Sequence, residues 1–161
     1  MIMANWCLNT VTFEADETVM EQIRLLFTKM AEKDKRTNRG QLPDFYNADG
    51  GYFFEIDCQD SQITYLTKWS PNLSVLVAVA DQFGVNFIYN YQELCMCIYG
   101  MAIYRNAVLH DISLELADFG SFDFLEETQC YFFEEKHHKD EEDILEILLQ
   151  RKVKSLYKPN P

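Results

Sequence analysis

The sequence predicts an α+β fold in which helices lie over one face of an antiparallel sheet. Three observations lead there. A period-two opening segment runs into a helical stripe, the order continues as strand, strand, helix, strand, and later strands follow one another across tight turns. The chain has 161 residues, 48% of them apolar, with 6 Gly and 4 Pro. That length suits one domain, and a globule of this mass removes about 70% of the extended chain's surface from water. The same composition excludes collagen-like, low-complexity and wholly disordered chains.

Trp6 to Glu14 (WCLNTVTFE) is rich in Thr, Val and aromatic residues, with Val11 and Phe13 on one side of the alternation, and reads as the first strand. From Glu17 to Lys33, the residues Val19, Ile23, Leu26, Phe27 and Met30 form a helical stripe behind an Asp16 N-cap. Asp34 to Gly51 collects turn residues and charge, and reads as a mobile, solvated loop carrying Lys35, Arg36 and Arg39. Tyr52 to Cys58 and Ile63 to Trp69 are β-prone runs separated by Gln59-Asp60-Ser61-Gln62, which suits a hairpin or two sheet neighbours.

A second helix is punctuated by Ser70 as N-cap, Pro71 at the first helical position and Gly84 past the end, with Leu73, Leu76, Val77 and Ala80 as its buried stripe. Three strands follow: Asn86 to Gln92, Cys95 to Arg105 and Ala107 to Leu116, the last two joined by a tight turn around Asn106. Phe87, Tyr89 and Tyr91 share one face, and such a row serves as core or as platform. After Leu116 the period fades. Asp118 to Glu127 and Cys130 to Glu135 mix aromatics with acids, which suggests short irregular strands or a loop packed by its Phe residues. Asp140 caps a final helix striped by Leu145, Leu148, Leu149, Val153 and Leu156, its early acids and late bases complementing the helix dipole.

This split βαβ order makes a ferredoxin-like α+β domain the economical fold over residues 1–116. The extra strands extend the sheet edge. Residues 117–161 add an acidic segment and a C-terminal helix packed on the same domain, where the helix adds to a face or shields an edge.

Three stretches carry a resemblance. Ala4-Asn5-Trp6-Cys7-Leu8-Asn9 opens the first strand, Thr67-Lys68-Trp69-Ser70-Pro71 enters the second helix, and Phe87-Ile88-Tyr89-Asn90-Tyr91-Gln92-Glu93 with Gly100 runs through the next hairpin. Together they resemble the YubB-type ferredoxin-like domain, a family of small uncharacterised proteins of plasmids, prophages and conjugative elements. The chain departs from that pattern at Leu94-Cys95, in place of a glycine, and at Asn72, in place of a second proline. The resemblance implies a fold and a mobile-element origin. It implies no activity, cofactor or active site. Trp6 and Trp69, with Pro71, read as structural anchors whose indoles fill the gap between helix and sheet.

Charge is regional. The chain carries 14 basic and 26 acidic residues, a formal charge of −12. Residues 111–146 hold two of the former and thirteen of the latter, whereas residues 147–161 hold four bases and no acid. A segment so acidic is repelled by nucleic acid, whose non-specific affinity comes from Lys and Arg. Two readings remain: a solvated face, or a surface formed by Glu126, Glu127, Glu134, Glu135, Asp140, Glu141 and Glu142 that engages a basic protein, in its sharpest version by imitating nucleic acid.

Cys95, Cys97, Cys130, His137 and His138 do not have the spacing of common zinc sites; the first two read as packed on one strand face and the histidines as sitting on an acidic loop. His110 beside Asp111 is a candidate base for Cys7, Cys58 or a serine, although no nucleophile motif, phosphate loop or dinucleotide fingerprint accompanies them. Tyr89, Tyr91 and Tyr99 are candidates for an RNA-stacking platform, without the cations that normally surround one. The five cysteines, odd in number and irregular in spacing, read as reduced thiols of a cytoplasmic protein, and no stretch has the length of a membrane span. The resulting expectation is a non-enzymatic interaction protein with a basic protein partner and no cofactor or metal. The alternative is a small enzyme or nucleotide- or RNA-binding domain using the aromatic sheet face.

Overall fold

A computed structural model describes residues 5–156. The strands are β1 (Trp6–Glu14), β2 (Phe54–Gln59), β3 (Gln62–Lys68), β4 (Asn86–Glu93), β5 (Ile98–Arg105) and β6 (Val108–Ser113), with α1 (Glu17–Thr37) after β1 and α2 (Leu73–Phe83) after β3. They form one antiparallel sheet in the order β2-β3-β1-β4-β5-β6. The first four strands and two helices make the ferredoxin-like unit; β5 and β6 extend its edge.

Alternation along β1 decides which side is core. Cys7, Asn9, Val11 and Phe13 are buried, whereas Trp6 and Leu8 point to the other face and are exposed. On the buried side lie Phe87, Tyr89 and Tyr91 of β4, with Ile23 and Phe27 of α1 and Leu76 and Val79 of α2. The row of three aromatics is therefore core.

Local chemistry explains the element ends. The Val19 N–H donates to the Asp16 carboxylate at 2.9 Å, capping α1. The helix runs past Lys33 to Thr37, and Asn38, in left-handed conformation at φ 51°, closes it. Lys35 and Arg36 thus belong to the last helical turn rather than to a loop, because nothing between Asp34 and Thr37 breaks a helix. The Asn106-Ala107 turn has φ of 52° and 61°, the geometry a two-residue hairpin requires.

The start of α2 differs from expectation. Its N-cap position is Asn72, and Ser70 and Pro71 lie in the preceding turn. The chain is still turning there: Trp69 takes φ 71°, the Ser70 N–H donates to the Lys68 carbonyl at 2.9 Å, and the Thr67 hydroxyl donates to the Ser70 carbonyl at 2.8 Å. Gly51, at φ 73°, passes beneath this start; a Cβ there would lie 2.9 Å from Val75 Cγ2. Cys95 and Cys97 are likewise not on a strand. Leu94–Met96 form a 3-10 turn capped by the Glu93 carboxylate, which accepts from the Met96 N–H at 2.8 Å.

The acidic segment is ordered. After a short helix α3 (Leu116–Phe119), the strands β7 (Asp123–Leu125), β8 (Cys130–Phe133) and β9 (Lys136–His138) make a second antiparallel sheet, and α4 (Glu141–Leu156) follows directly after Asp140. Leu145 and Leu149 of α4 pack with Ile112, Leu114, Tyr99 and Met101, a separate core. Ile112 and Met101 alternate with the residues facing α1 and α2, so α4 covers the β5–β6 end of the opposite sheet face. Leu156 of the expected stripe is exposed.

Candidate interaction surface

The seven acids singled out above lie on two turns and one helix start. Glu126 and Glu127 occupy the β7–β8 connection, Glu134 and Glu135 the two-residue β8–β9 turn at φ 46° and 63°, and Glu141 and Glu142 the first turn of α4 behind Asp140. One is neutralised. Arg151 of α4 forks both carboxylate oxygens of Glu134, at 2.6 and 2.7 Å, while its guanidinium sits 5.6 Å from the Phe133 ring. This pairing holds the Glu134 carboxyl below its ordinary pKa. Among the described residues no ion pair involves Glu126, Glu127, Glu135, Asp140, Glu141 or Glu142.

Three of these acids, Asp140, Glu141 and Glu142, act on an aromatic cluster of Phe122, Phe124 and Tyr131. Tyr131 on β8 lies 5.0 Å from Phe124, which is 48% exposed, and 5.8 Å from Phe122. Burial first, and then the charges of Glu141, Glu142 and Asp140, raise the pKa of the Tyr131 hydroxyl. Burial and the like charge of Glu142 also raise the Glu141 carboxyl. The structure thus gathers the helix-start acids beside half-buried Tyr131 and its exposed neighbour Phe124. The Phe-x-Phe spacing of Phe122 and Phe124 was the available signal, because residues two apart share a strand face.

Elsewhere the sequence candidates separate. Trp6 and Trp69 are each 43% exposed, so neither fills the helix–sheet gap. Trp6 stacks edge-on against Phe54 at 5.1 Å on the open sheet face, with Lys68 Nζ 5.7 Å from its ring. The space beneath α2 instead holds a buried polar network. The Asn9 amide donates to the Cys7 carbonyl at 2.8 Å and to Thr67 Oγ1 at 2.9 Å, and its carbonyl oxygen accepts from the Tyr89 hydroxyl. The Tyr65 hydroxyl donates to Asn72 Oδ1 at 2.7 Å, and the Asn72 amide donates to the Gly51 carbonyl at 2.9 Å. No buried side-chain nitrogen or oxygen among the described residues lacks a partner.

The candidate chemistry is dispersed as well. Cys7 on β1 and His110 on β6 are separated by β4 and β5, about 14 Å at ordinary strand spacing, and Cys58 lies at the far edge on β2. Burial pushes the Cys7 thiol up to about 11. The Asp111 carboxylate is taken by the Tyr91 hydroxyl at 2.6 Å, which reaches it over Gly100, where a Cβ would lie 2.5 Å from that oxygen. Tyr89 and Tyr91 are buried under the helices and cannot stack bases, and Tyr99 donates to Glu146 at 3.0 Å. His137 and His138 lie on β9 rather than on a loop. Among the described residues no three His, Cys, Asp or Glu side chains gather as a metal site. The cleft between the open sheet face and α4, lined by Leu8, Thr10, Gln92, Tyr99 and Glu146, has about 140 Å³, below the roughly 300 Å³ of a small-molecule site.

A family described as the ferredoxin-like domain in Api92-like protein matches residues 50–143, more than half of the chain. The chain belongs to this family. The Api92-like match starts at the β2 approach and ends in the first turn of α4, so it takes in most of the acidic segment. No curated protein and no solved structure matches the chain. No described helix is long and apolar enough to cross a membrane.

Proposed function

We propose that this member of the Api92-like ferredoxin-like family is a non-enzymatic protein-interaction module of a mobile genetic element, acting in the cytoplasm. Residues 1–116 are the scaffold. Residues 117–161 are an elaboration packed on it, whose acidic and aromatic face engages a basic protein. One observation carries the reading: six of the seven acids enter no ion pair among the described residues, and three of them, Asp140, Glu141 and Glu142, act on Tyr131, the ring neighbour of exposed Phe124. Exposed aromatics give a partner apolar area to cover, and the carboxylate rim selects for Lys and Arg. The mobile-element setting rests on the YubB-type resemblance alone.

The test is affinity capture from host lysate, comparing the full chain with Glu126→Gln, Glu127→Gln, Glu135→Gln, Asp140→Asn. The expected result is a basic protein that is released by salt, is competed by duplex DNA, and is lost with the variant. A partner captured equally by both chains, or one that resists salt, contradicts the proposal.

A further inference from the structure

We infer that the groove between the end of α1 and the segment 39–52 binds a mononucleotide-type ligand, a phosphate ester joined through a sugar to a flat ring. The groove has about 600 Å³, inside the roughly 300–1,000 Å³ range of small-molecule sites. Lys33 and Arg39 line it as cations, Tyr46 and Tyr52 as rings, and Asp44 as its one carboxylate. A smaller cleft of about 100 Å³ shares Lys33, Leu42 and Asp44 and adds Lys29.

The cations are the unusual part. Lys29 to Arg39 (KMAEKDKRTNR) holds five of the 14 basic residues in a chain with 26 acids. Among the described residues none of the five enters an ion pair, and the nearby Asp34 carboxylate is taken by the Glu55 N–H at 2.9 Å. Lys35 and Arg36 lie in the last turn of α1, where they offset the helix dipole. Lys33 and Arg39 line the groove instead. The acidic elaboration packs at the β5–β6 end of the sheet, whereas α1 packs against β2 at the other. A Debye length of about 8 Å screens charges so separated. The groove's local charge therefore decides what it takes.

The walls are preformed. Gln41 and Phe53 exchange backbone hydrogen bonds of 2.8 and 2.9 Å, the Tyr46 N–H donates to the Pro43 carbonyl at 2.9 Å, and the Tyr52 hydroxyl donates to Asp49 at 2.6 Å. Little ordering cost remains for a ligand. Two cations match a phosphate, the rings match a base, and Asp44 matches a sugar hydroxyl. The same carboxylate disfavours an acidic peptide. This site is separate from the acidic face and stands or falls without it.

The experiment is an amide-resolved NMR titration of the full chain with adenosine monophosphate, with adenosine and inorganic phosphate as separate arms. Saturable shifts at Lys33, Arg39, Gln41, Tyr46 and Tyr52 are expected, with the nucleotide binding about tenfold or more tightly than either fragment. Lys33→Gln with Arg39→Gln lowers nucleotide affinity by about tenfold or more and leaves adenosine binding unchanged. If that double variant misfolds, Asp44→Asn serves, weakening nucleotide and adenosine alike but not phosphate. Shifts that fail to saturate or that map elsewhere overturn the inference. So do phosphate binding as tight as the nucleotide's, and variants that bind as the parent does.

Discussion

The covered side of the main sheet and the acidic elaboration are built on different principles. Among the described residues the first buries twenty-one apolar side chains in one cluster, whereas the second buries Phe133, Ile144, Leu145 and Leu149. The first also encloses the Asn9–Thr67–Tyr89 and Tyr65–Asn72 hydrogen bonds, which fix the register of β1, β3 and β4 and the start of α2. The second is tied by exposed or half-exposed pairs, Arg151 with Glu134 and Lys152 with Asp118 at 2.7 Å. Local opening is concentrated where burial is least, so the elaboration is expected to open more readily than the scaffold.

The largest effect separating the two regions comes from equal deletions in each. Leu76→Ala is expected to lower the free energy of unfolding by about 2–5 kcal/mol in denaturant titration. Leu145→Ala, equally buried, is expected to speed amide exchange in residues 123–156 while β1, β3 and β4 exchange at the parental rate. Simultaneous loss of both regions in Leu145→Ala breaks the comparison. Next, Asn9→Leu removes the nearest acceptor of the Tyr89 hydroxyl and the amide donor to Thr67 Oγ1, and is expected to cost about 1–3 kcal/mol. An unchanged midpoint removes the network from the account.

A smaller, pH-dependent effect sharpens it. Burial works to raise the Asp118 carboxyl, but the Lys152 ammonium and the Glu115 N–H outweigh it, and the net pKa is lowered. A carboxylate depressed on folding contributes stability above its unfolded pKa and loses it as pH falls through the folded value. Protection of the α4 amides, taken relative to the intrinsic exchange rate at each pH, is therefore expected to fall as pH drops below about 4, with Asp118→Asn abolishing that dependence. The smallest effect is chemical: thiol labelling at neutral pH reaches exposed Cys95 and spares Cys7, which is buried and pushed up to about 11. Early labelling of Cys7 contradicts a closed core.

Much of the scaffold is legible locally. The bounds of β1, the β2–β3 hairpin, the Asp16 cap, Gly84 and the Asn106 turn follow from alternation and turn chemistry, which need no distant partner. Ser70-Pro71 misleads because its helix-start signal is overruled by Asn72, whose side chain is held by Tyr65 and Gly51. Tyr89 and Tyr91 share a face on any reading, yet only the placement of α1 and α2 decides that the face is covered. Strands of three and four residues, as in β7, β8 and β9, are too short to display a period, so the sheet that carries the acids is hidden. The acids themselves are visible as composition, but the pairing of Glu134 with Arg151 needs coordinates.

The most direct test of the acidic face is an amide-resolved NMR titration of the full chain with a Lys- and Arg-rich peptide at low and high salt. Shifts at Glu126–Gln129, Glu135 and Asp140–Glu142, lost at high salt and in Glu126→Gln, Glu127→Gln, Glu135→Gln, are the predicted result. Shifts spread over the whole surface, or centred on Trp6 and Lys68 of the open sheet face, would contradict it.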